Sequence, residues 1–404
     1  MKKTTAFFAL AALAAVLAAA PARAEDAISM KGIGISGYVD AVMGLSRTSG
    51  DFASTGTSLP GLYAGKVSLA TGAGISETDF TFAATEFKMH FNKDFGDKAS
   101  AVASLSILGL LSPSQTLTDT NGDTVTVTSP SGFALDLQQA AVKLNFGDAH
   151  FMLGRFYAPI GIETVDANSR ATITLGNVFN NLEPFFLTGA MLHYAPEEGP
   201  GGFLILANGL GGNNNECIND TAPPPSTPPE DTPPACLTSD PSTLGKAVIA
   251  GVTYVGGGVS ATLQYNVDWA GDGSTKVFED ATQILDLSVL YDSDSFMAGM
   301  DALYRRDNVL AANADTFGLE LMGAAKMDDL VAGIRGDLIH AIDNSGVGIQ
   351  PDGSVYMVSP FVTYTVIDGV FVRGEYRYDA IDPAGSGNYL HSNLFLVQAN
   401  ATFQ

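Results

Sequence analysis

The side chains best placed to act together lie between Arg155 and Gly189. Two acids, Glu163 and Asp166, and one base, Arg170, sit on a stretch that reads as a long connection, Pro159-Ile160-Gly161-Ile162-Glu163 through Glu183-Pro184 to Thr188-Gly189. Opposed charges held across a narrow aqueous gap create a transverse field, which favours polar solutes over apolar ones. The partners that apolar/polar alternation would aim at those acids are Arg155, Arg335, Arg373 and Arg377. The same residues could equally form a lattice of salt bridges that only stiffens a wall.

Other patterns fail on their surroundings. Gly32-Ile33-Gly34-Ile35-Ser36-Gly37 matches G-x-G-x-x-G, but no strand precedes it and an alternating strand, not a helix, follows. Asp119, Asn121 and Asp123 open like a calcium loop, yet Thr124 replaces the required glycine and Pro130 stands where a bidentate glutamate belongs. The five histidines, His90, His150, His193, His340 and His391, lack metal-ligand or triad spacing along the chain. No enzyme, cofactor or metal is therefore expected. Cys217 and Cys236 share one Pro-rich connection, and in an exported chain they are expected to form a disulfide.

Export is written at the start. Lys2 and Lys3 precede an apolar run over residues 6–20, and Ala22-Arg23-Ala24 offers a small-x-small cleavage site. Residues 1–24 thus read as a signal peptide and 25–404 as one mature domain. Removal of Lys2, Lys3 and Arg23 takes the net charge from −23 to −26, which excludes nucleic acid as a partner. No later apolar stretch reaches the length of a spanning helix. Lipid offers no partners to backbone polar groups, so a chain of this kind can cross a membrane only as a closed barrel. Charged residues at 16%, below the usual quarter, and 44 glycines suit strands and turns.

The elements that must position the charged groups are strands of about ten residues. Alternation places sixteen, near 32–45, 80–92, 97–108, 133–146, 149–157, 186–195, 202–208, 246–255, 258–268, 282–291, 295–305, 315–325, 329–341, 354–366, 370–379 and 392–403. Seven tight connections alternate with eight longer ones, as short periplasmic turns alternate with external loops. Both chain ends then face the periplasm. The fold class is all-β: a transmembrane antiparallel up-and-down barrel of about sixteen strands. Two strands resist phasing. Near 149–157, Phe151 and Leu153 fall on the face that should be wet if Arg155 points in, and 202–208 is apolar throughout.

A water-soluble sandwich also alternates, so the decisive feature is the aromatics. Seven of the eight descending strands end with a ring on the face assigned to lipid: Phe91, Phe146, Tyr194, Tyr254, Tyr291, Tyr364 and Phe403. Rings at one common height are the expected girdle of a membrane interface.

In the third long connection, Gly154-Arg155-Phe156 leads to Pro159-Ile160-Gly161 and Glu163, then Glu183-Pro184 is followed by Thr188-Gly189. Over these 35 or so residues the sequence resembles the OmpL-like β-barrel porin family. The resemblance implies a porin in the outer membrane of a Gram-negative cell, passing small polar solutes or ions, with its third long loop folded inward so that Glu163 and Asp166 stand at a constriction. One departure is Gln404, which follows Phe403 where barrels of this kind usually end on an aromatic. Most acids fall in loops and turns and the inner wall reads near neutral, so acidic vestibules are expected to favour cations mildly. The expected partners are outer-membrane lipid, lipopolysaccharide and the solutes themselves; a homo-trimer is left open. The rival readings are a plugged structural or adhesive barrel, silent in a conductance measurement, and a barrel enzyme, whose turnover would depend on one Ser or His.

Overall fold

A computed structural model describes residues 33–51, 74–110, 132–210, 246–269, 281–309, 312–342, 353–382 and 390–404, together with four short pieces of the first two external loops. Residues 1–24, Cys217 and Cys236, and Asp119, Asn121 and Asp123 lie outside the described residues.

Sixteen antiparallel strands close into one barrel, each paired with its neighbours in sequence. They are β1 (Ile33–Asp51), β2 (Gly74–Asp94), β3 (Ala99–Leu110), β4 (Gly132–Phe146), β5 (Ala149–Tyr157), β6 (Phe186–Tyr194), β7 (Gly199–Ala207) and β8 (Lys246–Gly256). The second half is β9 (Val259–Trp269), β10 (Ala281–Asp292), β11 (Phe296–Val309), β12 (Ala312–Met327), β13 (Leu330–Ala341), β14 (Ser354–Ile367), β15 (Val370–Asp382) and β16 (Leu390–Phe403). β1 closes the ring on β16, with Gly37 opposite Phe403 and Gly50 opposite Leu390. Closure removes both sheet edges, as a lipid-spanning sheet requires. Several strands run past the expected ends on the side of the long loops; β11 and β12 leave only residues 310–311 between them, where a nine-residue connection was expected.

Alternation sets the two faces. On β14, Tyr356, Val358, Val362 and Tyr364 are exposed while Met357, Ser359 and Phe361 are buried. On β15, Val372 and Tyr376 point out, and Arg373, Glu375, Arg377 and Asp379 are buried inside. Large apolar side chains cover the outer face, Leu204, Leu206, Val252 and Ile334 among them. In water such a surface would demand a partner; in a bilayer it is the solvent-compatible face.

Phe146, Tyr194, Tyr254, Tyr291, Tyr364 and Phe403 are outward and exposed near the tight-turn ends of their strands, and Phe91 is partly exposed at the same end of β2. β12 lacks a ring there, but Phe296, which opens β11 opposite Ala325, is exposed beside the gap. Tyr356 and Tyr364 mark opposite ends of β14. Eight residues of strand, tilted by about 40°, correspond to roughly 20 Å of height, close to an apolar band of about 25 Å.

Gly154 resolves the odd phase of β5. Its φ is +134°, a region closed to most L side chains, and a Cβ there would collide with the carbonyl oxygen of Ala140. Leu153 before it is exposed; Arg155 and Phe156 after it are both buried. Its partner across the ladder is Gly189 of β6, where a Cβ would strike the carbonyl oxygen of Leu206. Beyond this glycine pair both faces of the ribbon are covered: Phe156 and Leu187 join the apolar cluster of the inner wall, while the Arg155 guanidinium stacks over Phe186 at 4.8 Å. Here the ribbon leaves the lipid-facing wall and delivers the third loop to the interior.

Candidate functional site in the barrel lumen

The third loop, residues 158–185, folds into the bore and includes one short helix, α1 (Asn177–Leu182). Its path is fixed by contacts with strands on opposite sides of the ring. On the β10–β11 side Gly161 lies beside Asp286, and Ile162 Cδ1 sits against Gly299 of β11. Five residues after Gly161, Asp166 pairs with Lys88 on β2 and accepts a hydrogen bond from Tyr157 at 2.8 Å. In the sixteen-strand ring β2 and β10 stand eight positions apart in either direction, so they are opposite walls. Five residues reach at most about 17 Å, so the chain between Gly161 and Asp166 crosses the bore.

On the β1 side the backbone N–H of Ala167 donates to Tyr38 Oη at 3.1 Å, and Tyr38 in turn donates to Glu86 Oε2 at 2.6 Å. The loop then runs along β15 and β13. Glu375 accepts from the backbone N–H groups of Ile173 and Thr174 at 2.6 and 2.9 Å, and from Thr174 Oγ1 at 2.6 Å. Arg335 is fully buried. It pairs with Glu163 and donates to Thr172 Oγ1 at 2.8 Å and to the Thr174 carbonyl at 2.9 Å; its Nη2 lies 3.6 Å from Glu375. Arg373 and Arg377 donate to the carbonyls of Thr172 (3.0 Å) and Leu175 (2.6 Å). The start of α1 is held by Asp337, which accepts from the Asn177 N–H, and by Glu163, which accepts from the Gly176 N–H at 2.6 Å.

Apolar packing completes the anchor. Val178 and Leu182 of α1 lie in one buried cluster with Ile205, Ile249, Ile284, Leu303 and Ile339 from the inner wall. Ile173 packs with Val42, Leu394 and Leu396 on the other side. Each fully buried aliphatic side chain contributes about 1.5–3 kcal/mol, so this contact is comparable to the polar clamp. It also explains the uniformly apolar β7: one face meets lipid and the other meets the loop.

The residues singled out from the sequence therefore converge, but with different jobs from a pair of fronts facing each other across water. Glu163 touches Arg335 directly, and Arg335, Arg373 and Arg377 are spent on the loop itself. Arg170 is buried within the loop. Asp166 keeps part of its surface exposed, whereas Arg155 is buried over Phe186, 4.0 Å from the more exposed Asp136. Lys88, Tyr38, Glu375, Asp337 and Glu183 were not anticipated. Their one legible signal was an inward phase, which Glu375 had by alternation. The wall is also less neutral than expected: Asp40, Asp286, Asp301, Glu320 and Asp337 all face inward and are buried.

Glu183, the acid of the Glu183-Pro184 pair, is enclosed at the loop's return and lies against Gly161, whose φ is +75°. Burial, reinforced by the neighbouring carboxylates of Asp286, Glu320 and Glu163, holds its pKa well above the ordinary carboxyl value against the opposing influence of the adjacent Asp301 carboxyl. Two carboxyl groups in contact are hydrogen-bonded only while one keeps its proton. The folded pKa is raised, so the contribution is complete at low pH and is lost as pH rises through that folded value. Glu183→Gln keeps a donor at all pH values. The wild-type channel should become noisier on alkalinisation while the variant stays quiet, as read by single-channel recording from pH 5 to 9; equal profiles would refute the assignment.

His90 brings Ser104 (2.8 Å from Nδ1) near Asp166 (4.0 Å from Nε2). This is not a hydrolytic triad. The second gap is too long for a hydrogen bond, Asp166 is already held by Lys88 and Tyr157, and Ser104 is completely buried, donating to Gln139.

Comparison with known proteins agrees with this architecture. The family model described as "Putative beta-barrel porin-2, OmpL-like" matches residues 32–403. No curated protein matches the chain. Among solved structures, the outer membrane channel DcaP of Acinetobacter baumannii is similar at 14% identity, over 93% of this chain and 99% of that one, with a TM-score of 0.56. An anion-selective porin from Comamonas acidovorans is similar at 11% identity, over 92% and 99%, also with a TM-score of 0.56. Outer-membrane expressed OmpT of Vibrio cholerae is similar at 9% identity, over 94% and 100%, with a TM-score of 0.53. At these identities the structures speak for the fold alone. With the family model covering nearly the whole barrel, the chain belongs to the OmpL-like β-barrel porins, channels of the bacterial outer membrane for passive diffusion.

Proposed function

We propose that this porin passes small hydrated solutes through a bore narrowed by its third loop, with a preference for cations and without catalysis. The observation that carries the reading is the crossing of residues 161–166 from the β10 wall to the β2 wall. The constriction is built around that crossing. Glu163, Arg335, Arg373 and Arg377 hold the loop and the buried Arg170 belongs to it, while Asp166 and Asp136 present charge to the remaining space, with Arg155 buried behind Asp136. The external acidic loops enrich cations locally. The outward apolar band and its aromatic rings meet outer-membrane lipid, and the external rim meets lipopolysaccharide. Closure within one chain makes a monomer sufficient; light scattering of the detergent-solubilised protein separates monomer from trimer.

Planar-bilayer recording tests the conduit. Stepwise conductance with a cation-directed reversal potential in a potassium chloride gradient is expected, weakening at high salt as the wall charges are screened. An anion-directed potential would end the cation preference, and silence of folded protein would favour a plugged barrel.

A further inference from the structure

His150 and His193 are direct partners across the β5–β6 ladder and sit near the periplasmic ends of their strands. On β6 the neighbours Leu192 and Tyr194 are exposed to lipid, which turns His193 inward; His150 is its cross-strand partner on the same face. Their ring centroids are 4.9 Å apart with planes at 72°. Among the described residues neither ring takes part in a hydrogen bond, in contrast to His90 and His340, each held by a serine, and His391, held by Tyr378. Phe203 packs edge-on against His193 at 5.9 Å and fixes that ring from behind.

We propose that His150 and His193 form a two-imidazole site for a borderline divalent transition-metal ion, of which zinc is the probe. The separation carries the proposal. With metal–nitrogen bonds of about 2.1 Å and tetrahedral angles, two ligating imidazoles have centroids about 5 Å apart. Both rings are partly exposed on the inner face, where water can complete the coordination sphere, and imidazole nitrogen suits zinc, nickel or copper better than calcium or magnesium. Lys143 on β4 is near enough for its charge to act on both rings, and its ammonium opposes a bound cation. The site is therefore weak by construction, suited to reversible occupancy by an ion in transit near the periplasmic mouth.

Zinc titration of the folded, detergent-solubilised protein by calorimetry tests this without reference to conductance, so its failure is distinct from failure of the channel reading. Wild type should show a site whose apparent affinity falls by at least about tenfold in His150→Asn and in His193→Asn, since one imidazole remains in each. Lys143→Gln should tighten the same site, a gain that misfolding cannot imitate. Superimposable titrations of wild type and all three variants would overturn the proposal.

Discussion

Arg335→Met should raise single-channel conductance several-fold, add large current fluctuations, and lower the temperature at which the barrel loses its compact migration on gels. The guanidinium is completely buried and links Glu163, Thr172 and Thr174 of the loop to Glu375 of the wall. Removing one member of a buried ionic network typically costs about 3–5 kcal/mol, because the partners keep their desolvation penalty and lose their compensation. Here the stranded groups would be Glu163 and Glu375, with Asp337 and Glu320 nearby. Detaching the loop lets those carboxylates reach water, so the loop gives way before the barrel does. Glu375→Gln should act in the same direction more weakly, since an amide still accepts from the loop N–H groups. A folded Arg335→Met channel with wild-type conductance and noise would mean that the apolar contact of α1 alone holds the loop.

Gly154→Val should prevent assembly of most of the protein into a heat-modifiable barrel. A β-branched residue cannot adopt a φ of +134° without strain of about 1–3 kcal/mol. Its side chain would also meet the Ala140 carbonyl oxygen and the Ala141 backbone, neither of which can move without breaking the β4–β5 ladder. Gly336→Ala is the matched control: the nearest atom to its Cβ would be the Met357 carbonyl oxygen at 3.5 Å, an ordinary contact, so that variant should assemble normally. Refolding yield into lipid, followed by gel migration, gives both answers. Equal yields for the two variants would show that the ribbon does not turn inward at Gly154.

The sequence carried the wall of this molecule well and its interior poorly, for a physical reason. A strand between lipid and water must alternate, so the sequence alone assigns Val372 and Tyr376 to one face and Arg373, Glu375 and Arg377 to the other, as the structure has them. The rings from Phe91 to Phe403 lie near the tight-turn ends of their strands, a position that depth alone can set and that needs no sequence-distant partner. The third loop obeys neither rule. Whether Arg335 faces solute or clamps Thr174, 161 positions away in the chain, depends on where residues 158–185 come to rest. Gly154 is the instructive case. The phase conflict of Phe151 and Leu153 with Arg155 looked like a weakness in the barrel reading, and it was the trace of a glycine that redirects the ribbon.

Single-channel conductance after excision of residues 162–182, bridged by a short Gly-Ser linker, tests the crossing of the bore most directly. A loop tied to both walls predicts a several-fold larger unit conductance and entry of larger neutral polymers. An excised channel that folds and conducts like wild type, with the same polymer cut-off, would contradict it.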